Sequence, residues 1–595
     1  MAAVKIQRLR ELMKKHSMDA YITADSDPHS SEYPAAHWKT RSWLSGFTGS
    51  NGVIAVTLDE AALWTDGRYY IQADRQLKDS GIALMRAGEP GVPGYPAWLA
   101  DRLGAQSTVG VNGMATSCAA YGELVKAFAG RGTPVDIGRD LVGELWDESR
   151  PSVPGAPIFC HDIRYTGKCA ADKITGIRAA LARRGAAYTL IAGLEDVAWL
   201  FNIRGSDIPN LPVAYAYAFI SPGAAELYID PEKATQDVID QLAQQGVCVF
   251  DAALTAARLE GLHQGDCISI DPNKVSIWLR RKIPDGVRIV EADEPTLAAK
   301  AIKTGAELQG HRDCQLWDGA AMARFLMWVE AGARSGEDIS EWDAVVALRR
   351  FRGQCAENRG DSFDAIAGYG PNGAMMHYAP AADAAAKIHN AGLMVVDSGG
   401  QYPGGTTDIT RTVVFDEVTD EERRDFTLTL KSHIALASAR FLYGATGGQI
   451  DSIARKVMWD HGLDYKCGTG HGVGAYLSVH EGPQSISMRA AATGVRLEEN
   501  MIVSIEPGVY REGKHGVRIE NLARIVEDYT NGFGRFMRFE TLSFCPISLN
   551  GIEPGLLSGA EREWLNSYHR AVYEKIAPLL DEAERKWLAH ATREV

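Results

Sequence analysis

The chain has 595 residues and a net charge of −14, from 62 Lys and Arg against 76 Asp and Glu. Its length predicts about three or four domains, whose hydrophobic cores need no disulfide staples. The acidic balance argues against nucleic acid or an anionic membrane as the main partner, because both select basic surfaces, and nine cysteines without a tight Cys-x-x-Cys pair fit a reducing compartment.

The N-terminal segment, residues 1–17, carries apolar residues at helical spacing among basic ones, which predicts a folded helix. It has no continuous apolar core and no small-residue cleavage site, so we do not interpret it as a signal peptide. No window of the sequence approaches the ~20 apolar residues that a bilayer span needs. We therefore expect a cytoplasmic protein without a membrane partner.

Closely spaced prolines at residues 150–157 and a second break near residues 292–295 divide the chain into three blocks. The first two blocks resemble each other, since Trp43-Leu44 recurs as Trp199-Leu200 and residues 62–66 recur as residues 226–230. Each block opens with a helical stretch and a short apolar strand, which indicates α/β layers; chance likeness is the alternative. The predicted domains are residues 1–155, 156–296 and 297–595.

The third block begins with an apolar stripe at helical spacing over residues 300–331. Strand-like runs follow at residues 393–397, 408–415, 501–505 and 516–525. The residues that could carry chemistry lie on or beside these runs.

Two aspartates in the third block have ten residues between them, Asp397 at the end of one apolar run and Asp408 at the start of the next, with a Gly-rich turn between. A hairpin would place both carboxylates side by side. Two facing anions in a core are costly, so basic side chains or a metal must neutralise them.

One histidine and two glutamates extend this set. His471 stands among four glycines in residues 468–474, where the backbone can approach a bound group closely. The spacing is not GxGxxG, because Val473 occupies the third glycine position, so a dinucleotide site is not expected. Glu506 and Glu520 adjoin β-branched residues, where an unpaired carboxylate is expensive to bury.

Each of these residues alone has an ordinary interpretation as a cap, a turn residue or a salt-bridge partner. Together the four carboxylates carry about −4, which two divalent cations would balance and one zinc would not. Oxygen-rich ligands with one imidazole favour Mn²⁺ or Co²⁺ over an ion that prefers thiolates.

In their order Asp, Asp, His, Glu, Glu, the five residues resemble the metal ligands of the pita-bread metallopeptidases, a family that includes methionine aminopeptidase, prolidase and aminopeptidase P. Residues 43–52, 63–70, 362–377 and 563–581 resemble segments of its three-domain members. The resemblance implies α/β and α+β architecture: two creatinase-like N-terminal α/β domains followed by a pita-bread catalytic domain with a C-terminal extension.

The resemblance also implies a role for each residue of the set. Two divalent ions, expected to be Mn²⁺ with Co²⁺ or Zn²⁺ as alternatives, would be bound by Asp397, Asp408, His471, Glu506 and Glu520. Asp408 and Glu520 would bridge the ions, Asp397 would complete one metal site, and His471 with Glu506 would complete the other. Glu506 would also accept the proton of the nucleophile.

Three further residues follow from the same resemblance, and Arg518 follows from its place two residues before Glu520 on the predicted strand. His377 and His480 match family histidines that line the substrate site and hydrogen-bond the substrate or the tetrahedral intermediate, although either alone could be an ordinary histidine. Arg518 is interpreted either as a partner of a ligand carboxylate or as a plain salt bridge. A third family histidine is Cys467 here, and because a thiol is a poor donor, one substrate contact is weakened or replaced by water.

The implied function is a metalloprotease of the aminopeptidase type, a hydrolase that releases the N-terminal residue from peptides with proline in the second position. Spacing alone does not establish the proline preference; Tyr369 and Tyr378, near His377, could stack on a pyrrolidine ring or pack in the core. The family commonly dimerises through the catalytic domain, so a homodimer is expected, with peptides and no nucleic acid as partners.

Two other functions stay open. One is a different enzyme on the same fold, either prolidase, which takes dipeptides, or a creatinase-type amidinohydrolase. Creatinases lack the metal ligands, and prolidases are usually shorter and lack the duplicated first block. The other is a non-catalytic interaction protein, but such proteins have lost ligands that this sequence keeps.

Overall fold

The computed structural model describes residues 2–490 and 494–595. The chain forms two compact units, the first made of residues up to His161 together with Lys168–Leu297, the second of Asp162–Gly167 together with Ala298–Val595. The predicted boundary after residue 296 lies one residue from this division, and the predicted boundary after residue 155 falls within the first unit and stays a prediction. No helix in the described ranges combines the length and apolar character that a bilayer crossing requires.

The first half of the first unit is one six-stranded sheet with helices against it. Its elements in chain order are α1 (Ala2–Lys15), β1 (Ala20–Ala24), α2 (Thr40–Ser45), β2 (Val53–Thr57), β3 (Ala61–Thr65), α3 (Tyr70–Gln76), β4 (Ala83–Arg86), α4 (Tyr95–Arg102), β5 (Val109–Val111), α5 (Cys118–Ala127), β6 (Val135–Asp136) and α6 (Leu141–Leu145). The strand order is β4-β3-β2-β1-β5-β6. Leu44 and Leu63 are buried in one hydrophobic cluster and Trp98 and Val109 in another.

The second half repeats this arrangement. Its elements are β7 (Phe159–Cys160), α8 (Ala170–Arg183), β8 (Tyr188–Ile191), α9 (Leu194–Phe201), β9 (Ile203–Arg204), β10 (Ala216–Ile220), β11 (Ala225–Ile229), α10 (Gln236–Gln244), β12 (Val247–Asp251), α11 (Thr255–Glu260), β13 (Cys267–Ile270), α12 (Ile277–Arg280) and β14 (Arg288–Glu291). The short helix α7 (Ile163–Thr166) belongs to the second unit, and the division after Leu297 falls within α13 (Pro295–Ala301). The order β12-β11-β10-β8-β13-β14 reproduces the first sheet strand for strand. Of the segments matched in the sequence, residues 62–66 and 226–230 overlap β3 and β11, which hold the same place in the two sheets, and the Trp-Leu pairs lie on α2 and α9.

The second unit contains the strand-like runs of the third block. Its elements are α14 (Gly305–Ser335), α15 (Glu341–Arg352), β15 (Ile366–Tyr369), β16 (Leu393–Ser398), β17 (Gln401–Tyr402), β18 (Gly405–Thr406), β19 (Ile409–Val414), α16 (Asp420–Ala437), β20 (Arg440–Leu442), α17 (Gly447–Trp459), β21 (Gly470–His471), β22 (Ser485–Ile486), β23 (Ile502–Ile505), β24 (Gly508–Arg511), β25 (His515–Arg518), β26 (Asn521–Asn531), β27 (Gly534–Thr541), α18 (Gly559–Ile576) and α19 (Glu582–Ala591). Short 3₁₀ helices within the described ranges lie at Ala36–Trp38, Pro231–Lys233, Ala252–Leu254, Gly370–Ala374, Pro554–Leu556 and Ala577–Leu579.

Two sheets organise the second unit, β15-β16-β19 and β20-β27-β26-β23, with the two-stranded pairs β17-β18, β21-β22 and β24-β25 beside them. β16 contributes Leu393 to one buried cluster and Met394 to another. Phe325 and Val329 of α14 lie in the second cluster, so the predicted apolar stripe faces the core.

The helix predicted over residues 300–331 is interrupted. The Thr304 side chain accepts a hydrogen bond from the Glu307 backbone N, and Glu307 reaches back to the Thr304 backbone N, which forms a capping box. This cap starts a new helix, because it satisfies backbone donors that a continuous helix would not expose.

The strand predicted over residues 516–525 is also divided. β25 pairs with β24, whereas β26 pairs with β23 and β27. The chain leaves one pair of strands after Arg518 and enters the larger sheet at Asn521, so Glu520 lies in the connection. Its backbone N donates to Thr410 O at 3.1 Å, which fixes the connection against β19.

Candidate metal centre

Three of the predicted ligands meet in the second unit. Asp408, His471 and Glu520 each offer an atom that lies within 4.8 Å of the atoms offered by the other two. His471 Nε2 is 3.5 Å from Asp408 Oδ2. Residues separated by up to 112 positions of sequence therefore form one cluster.

The other two predicted ligands adjoin this cluster. Glu506 Oε1 lies 3.3 Å from His471 Nε2. Asp397 is in β16, paired in register with Thr410 of β19, and Asp408 immediately precedes β19. The antiparallel pair therefore brings the two aspartates to the same end, as the sequence predicted, although the β17-β18 hairpin replaces the simple turn.

Glycine is required beside His471 for packing against the neighbouring chain. A Cβ at Gly470 would overlap Ser504 O, and a Cβ at Gly472 would overlap Glu481 O. The absence of side chains lets β21 approach β23 and brings His471 beside Glu506. The sequence predicted that these glycines let the backbone approach a bound group. In the structure they let it approach backbone carbonyls of the same chain.

Hydrogen bonds orient the ligand side chains. Ser504 Oγ accepts from the His471 backbone N at 3.0 Å and donates to Glu506 Oε1 at 3.2 Å. Thr410 Oγ1 donates to Glu520 Oε2 at 2.6 Å. The two glutamate side chains and the His471 backbone are therefore held by neighbouring hydroxyl groups, which pre-organises this part of the site.

The carboxylates at this site are buried close together, so a positive charge would stabilise their ionised forms. Burial, followed by the negative charge of Glu520, raises the pKa of Asp408 well above its usual range. Burial and then the charge of Glu506 do the same to the pKa of Glu520. Burial is also the main reason that the pKa of Glu506 rises to about 7. Bound cations would displace these protons, so acid opposes metal binding.

Two buried oxygens in the cluster supply a test of whether a metal fits. Asp397 Oδ1 and Glu520 Oε1 have no hydrogen-bond partner among the described residues. Buried carboxylate oxygens are rarely left in that condition, and such oxygens together with one imidazole are donors that Mn²⁺-type ions accept. The residues present therefore fit divalent cations.

Arg518 combines the two interpretations offered from the sequence. Its Nη2 donates to Asp397 Oδ2 at 2.6 Å, a buried salt bridge, and its Nε donates to Thr410 Oγ1 at 3.1 Å. Because Thr410 in turn donates to Glu520, one guanidinium orients two candidate ligands. The same contact is therefore both a salt bridge and the interaction that orients a candidate ligand carboxylate.

The predicted substrate histidines flank the cluster. The ring of His480 packs edge-on against that of His471, with 4.3 Å between centroids, and its charge acts on Glu506. His377 is half-buried, and the carbonyl of its neighbour Met376 accepts from Arg518 Nη2 at 3.3 Å. The structure thus places His480 at the cluster and connects the His377 segment to it.

The two tyrosines near His377 have partners within the fold. Tyr369 OH donates to Ala391 O at 2.7 Å, and its ring packs edge-on against Phe415. Tyr378 OH donates to Glu341 at 2.8 Å. Of the two interpretations from the sequence, core packing describes Tyr369.

Sequence reasoning missed two residues that hold the backbone of the ligands. Arg411 is buried and donates to Glu520 O at 2.6 Å. His433 Nδ1 lies 3.0 Å from Ile505 O and its Nε2 lies 3.3 Å from the Asn521 amide, so it contacts the residues next to Glu506 and Glu520. An arginine among apolar strand residues was a signal for the first; no local pattern marks the second.

Family models match nearly the whole chain. Metallopeptidase family M24 matches residues 309–527, and the C-terminal region of that peptidase family matches residues 535–595. The Creatinase/Prolidase N-terminal domain matches twice, over residues 5–143 and residues 149–307.

Individual proteins are similar over nearly all of this chain and most of their own length. Aminopeptidase P2 of Arabidopsis thaliana is 39% identical over 99% of this chain and 88% of its own. A probable Xaa-Pro aminopeptidase P of Laccaria bicolor is 38% identical over 98% of this chain and 92% of its own.

Solved structures give the same picture. The X-prolyl aminopeptidase of Caenorhabditis elegans, described as a cytosolic enzyme with a di-nuclear active site, has a TM-score of 0.95 and 32% identity over 100% of both chains. The Xaa-Pro dipeptidase of Bacillus anthracis, with a TM-score of 0.50 and 21% identity, covers 64% of this chain and 99% of its own, and shows likeness of fold alone.

Proposed function

This chain belongs to metallopeptidase family M24, and on that premise we propose that it is a dinuclear-metal aminopeptidase that releases the N-terminal residue of peptides with proline in the second position. The observation that carries the proposal is the buried cluster of Asp408, His471 and Glu520. It lies in a chain that is similar over its full length to Xaa-Pro aminopeptidases. The predicted fold class, two creatinase-like domains and a catalytic domain of the M24 type, is confirmed.

Five residues would hold the two ions: Asp397, Asp408, His471, Glu506 and Glu520. When bound, the metals would supply an activated water and polarise the scissile carbonyl. Arg518 orients the Asp397 carboxylate through its salt bridge. We infer that Mn²⁺ is the native ion, because oxygen donors dominate the set.

The side chains of the protein would transfer protons and bind the substrate. Glu506 lies at 3.3 Å from His471, and its carboxylate would accept the proton of the nucleophile and return it. His480, beside His471, and His377 would hydrogen-bond the substrate and the tetrahedral intermediate.

The cellular setting follows the relatives. We infer that the protein is cytoplasmic, which agrees with its acidic composition and with the description of the Caenorhabditis elegans enzyme as cytosolic. We also infer a homodimer, because dimerisation is common in the family. Its partners would be peptide substrates and a second copy of the chain.

Metal analysis combined with product identification tests this function. Protein loaded with Mn²⁺ should contain about two ions per chain and convert an X-Pro-Y tripeptide to X and Pro-Y. A chelator should abolish cleavage, because the ligands act only with cations bound, and added Mn²⁺ should restore it. An Xaa-Pro dipeptide should be cleaved more slowly. An intact tripeptide with loaded protein, or cleavage that survives metal removal, would contradict the proposal.

The substitution Cys467→His tests the one departure from the family. Cys467 is partly buried and its carbonyl accepts from Arg455 Nη2 at 2.8 Å, but it is not a member of the three-residue cluster. We expect an unchanged metal content and a kcat/KM that rises by up to about tenfold, the value of one added hydrogen bond. Metal analysis and tripeptide kinetics measure both quantities, and loss of metal would show that the residue is misplaced.

A further inference from the structure

The segment that carries His377 is anchored on both sides of that residue. On one side Met376 O accepts from Arg518 Nη2 at 3.3 Å. On the other side Tyr378 OH donates to Glu341 Oε2 at 2.8 Å. The first anchor leads to the candidate ligand Asp397, whereas the second leads to a carboxylate that has no part in the metal centre.

Glu341 is 0% exposed, yet it is the first residue of α15. Its Oε1 accepts from Tyr369 N at 2.7 Å and from Asn372 Nδ2 at 3.0 Å. Its Oε2 accepts from Tyr378 OH and from Ala386 N, both at 2.8 Å. Four donors and the positive end of a helix dipole stabilise the buried charge.

These donors come from both ends of one loop. Tyr369 ends β15 and Ala386 is 17 residues further along the chain, so a single carboxylate closes the segment between them. The backbone adds to the closure, because Glu341 N donates to Ala386 O at 3.0 Å. His377 lies inside this closed loop, one residue from a donor to Glu341.

We propose that Glu341 is a positioning residue that sets the His377 imidazole at the substrate site through Tyr378 and Asn372. The proposal rests on the proposed function, which gives His377 its contact with the substrate. Glu341 acts on the reaction only through the loop, so its loss should change how substrate is held and should leave the metal ligands in place.

Two substitutions weaken the closure by different amounts. Glu341→Gln keeps the shape, but the amide nitrogen must face either Tyr369 N–H or Ala386 N–H, and both are donors. Tyr378→Phe removes the hydroxyl that donates to Glu341 Oε2 and accepts from Asn372 Nδ2 at 3.2 Å, and it leaves the carboxylate with its other donors. Tyr443→Phe is a matched control, because Tyr443 OH donates to Glu498 at 2.7 Å on an exposed surface.

A double-mutant cycle with His377→Ala tests the coupling. Both variants should keep the wild-type metal content. Glu341→Gln should lower kcat/KM for an X-Pro-Y tripeptide by about 30-fold and Tyr378→Phe by about fivefold. In the His377→Ala background each substitution should lower kcat/KM by less than about twofold. Tyr443→Phe should change nothing. Equal costs in the two backgrounds would overturn the proposal, since Glu341 would then act elsewhere.

The imidazole itself provides a readout that needs no activity. In protein with ¹³C-labelled histidine, the His377 resonance, identified by its loss in His377→Ala, should shift in Glu341→Gln and Tyr378→Phe, while the His480 resonance stays in place. An unmoved His377 resonance would overturn the proposal. A wild-type protein that leaves the tripeptide intact, while these variants still shift the resonance, would contradict the proposed function alone.

Discussion

Glu520→Gln should empty the candidate metal centre and lower kcat/KM on an X-Pro-Y tripeptide by about 10³-fold or more, since even residues that only orient metal ligands cost 10- to 100-fold. The glutamine keeps the volume and can still accept from Thr410 Oγ1, which holds Glu520 Oε2 at 2.6 Å. What it removes is the charge on Oε1, an oxygen without a hydrogen-bond partner among the described residues. Metal analysis and tripeptide kinetics measure the two losses.

The same substitution should stabilise the protein when no metal is present. Burial and the charge of Glu506 raise the pKa of Glu520, so as pH rises the folded state holds its proton longer than the unfolded chain does. Stability from this group is therefore present at acid pH and lost as pH rises above the unfolded value of about 4.3. The chelated variant should unfold at a higher temperature than chelated wild type at pH 8, and at a similar temperature at pH 4.

Glu527→Gln is the control, on the strand β26 that follows Glu520. Glu527 is exposed and pairs with Arg535 at 2.7 Å, so metal content, activity and stability should stay near wild-type values. If Glu520→Gln retained two ions, or if both variants lost metal alike, Glu520 would not be a ligand.

Short motifs made the candidate centre predictable. Each ligand stands in a run of a few residues whose local structure follows from its own sequence, an apolar strand for Asp397 or a glycine-rich turn for His471. Asp408, His471 and Glu520 do meet, while the individual ligand roles stay predictions. The duplicated sheets were also visible, because matched segments occupy β3 and β11.

Contacts between distant parts of the chain were not predictable. Arg411 binds Cys545 O and Tyr568 OH, and Glu341 closes a loop that begins 28 residues later. A single sequence contains no signal that pairs residues so far apart along the chain. The division of the predicted strand at Glu520 has the same origin, since its two halves pair with different strands.

The prediction of a continuous helix over residues 300–331 was wrong for a different reason. The signature of its N-terminus, a threonine followed three residues later by a glutamate, is present at Thr304 and Glu307, and this spacing is typical of a capping box. The apolar stripe around it continued at helical spacing and hid the signal. Caps should therefore be weighed before periodicity when helix ends are assigned.

Arg411→Met should lower the free energy of unfolding by about 3–5 kcal/mol, because several buried acceptors would lose their hydrogen-bond donor at once. Arg411 is 2% exposed and donates to six acceptors. These acceptors are Thr410 O, Glu520 O, Asn521 Oδ1, Cys545 O, Pro546 O and Tyr568 OH, at 2.6 to 3.0 Å. Methionine fills much of the space but donates nothing, so these acceptors lose their common donor. Denaturant unfolding measures the loss.

Arg440→Met provides the comparison. Arg440 lies on the edge strand β20, has a side chain 59% exposed and pairs with Asp528, so its replacement should change the free energy of unfolding by no more than about 0.5 kcal/mol. Similar values for the two variants would show that the buried network around Arg411 adds little.

A titration with Mn²⁺ separates a role in the fold from a role in the metal centre. Arg411 holds the carbonyl of Glu520 and that of Thr410, and Thr410 orients the Glu520 carboxylate. If these hydrogen bonds fix the position of the Glu520 carboxylate, the folded Arg411→Met protein should bind Mn²⁺ about 10- to 100-fold more weakly than wild type. Because a cation that binds only the folded state adds stability in proportion to its affinity, the variant should also gain less from added metal. Unchanged affinity would mean that Arg411 supports the fold and leaves the position of Glu520 to its strand connection.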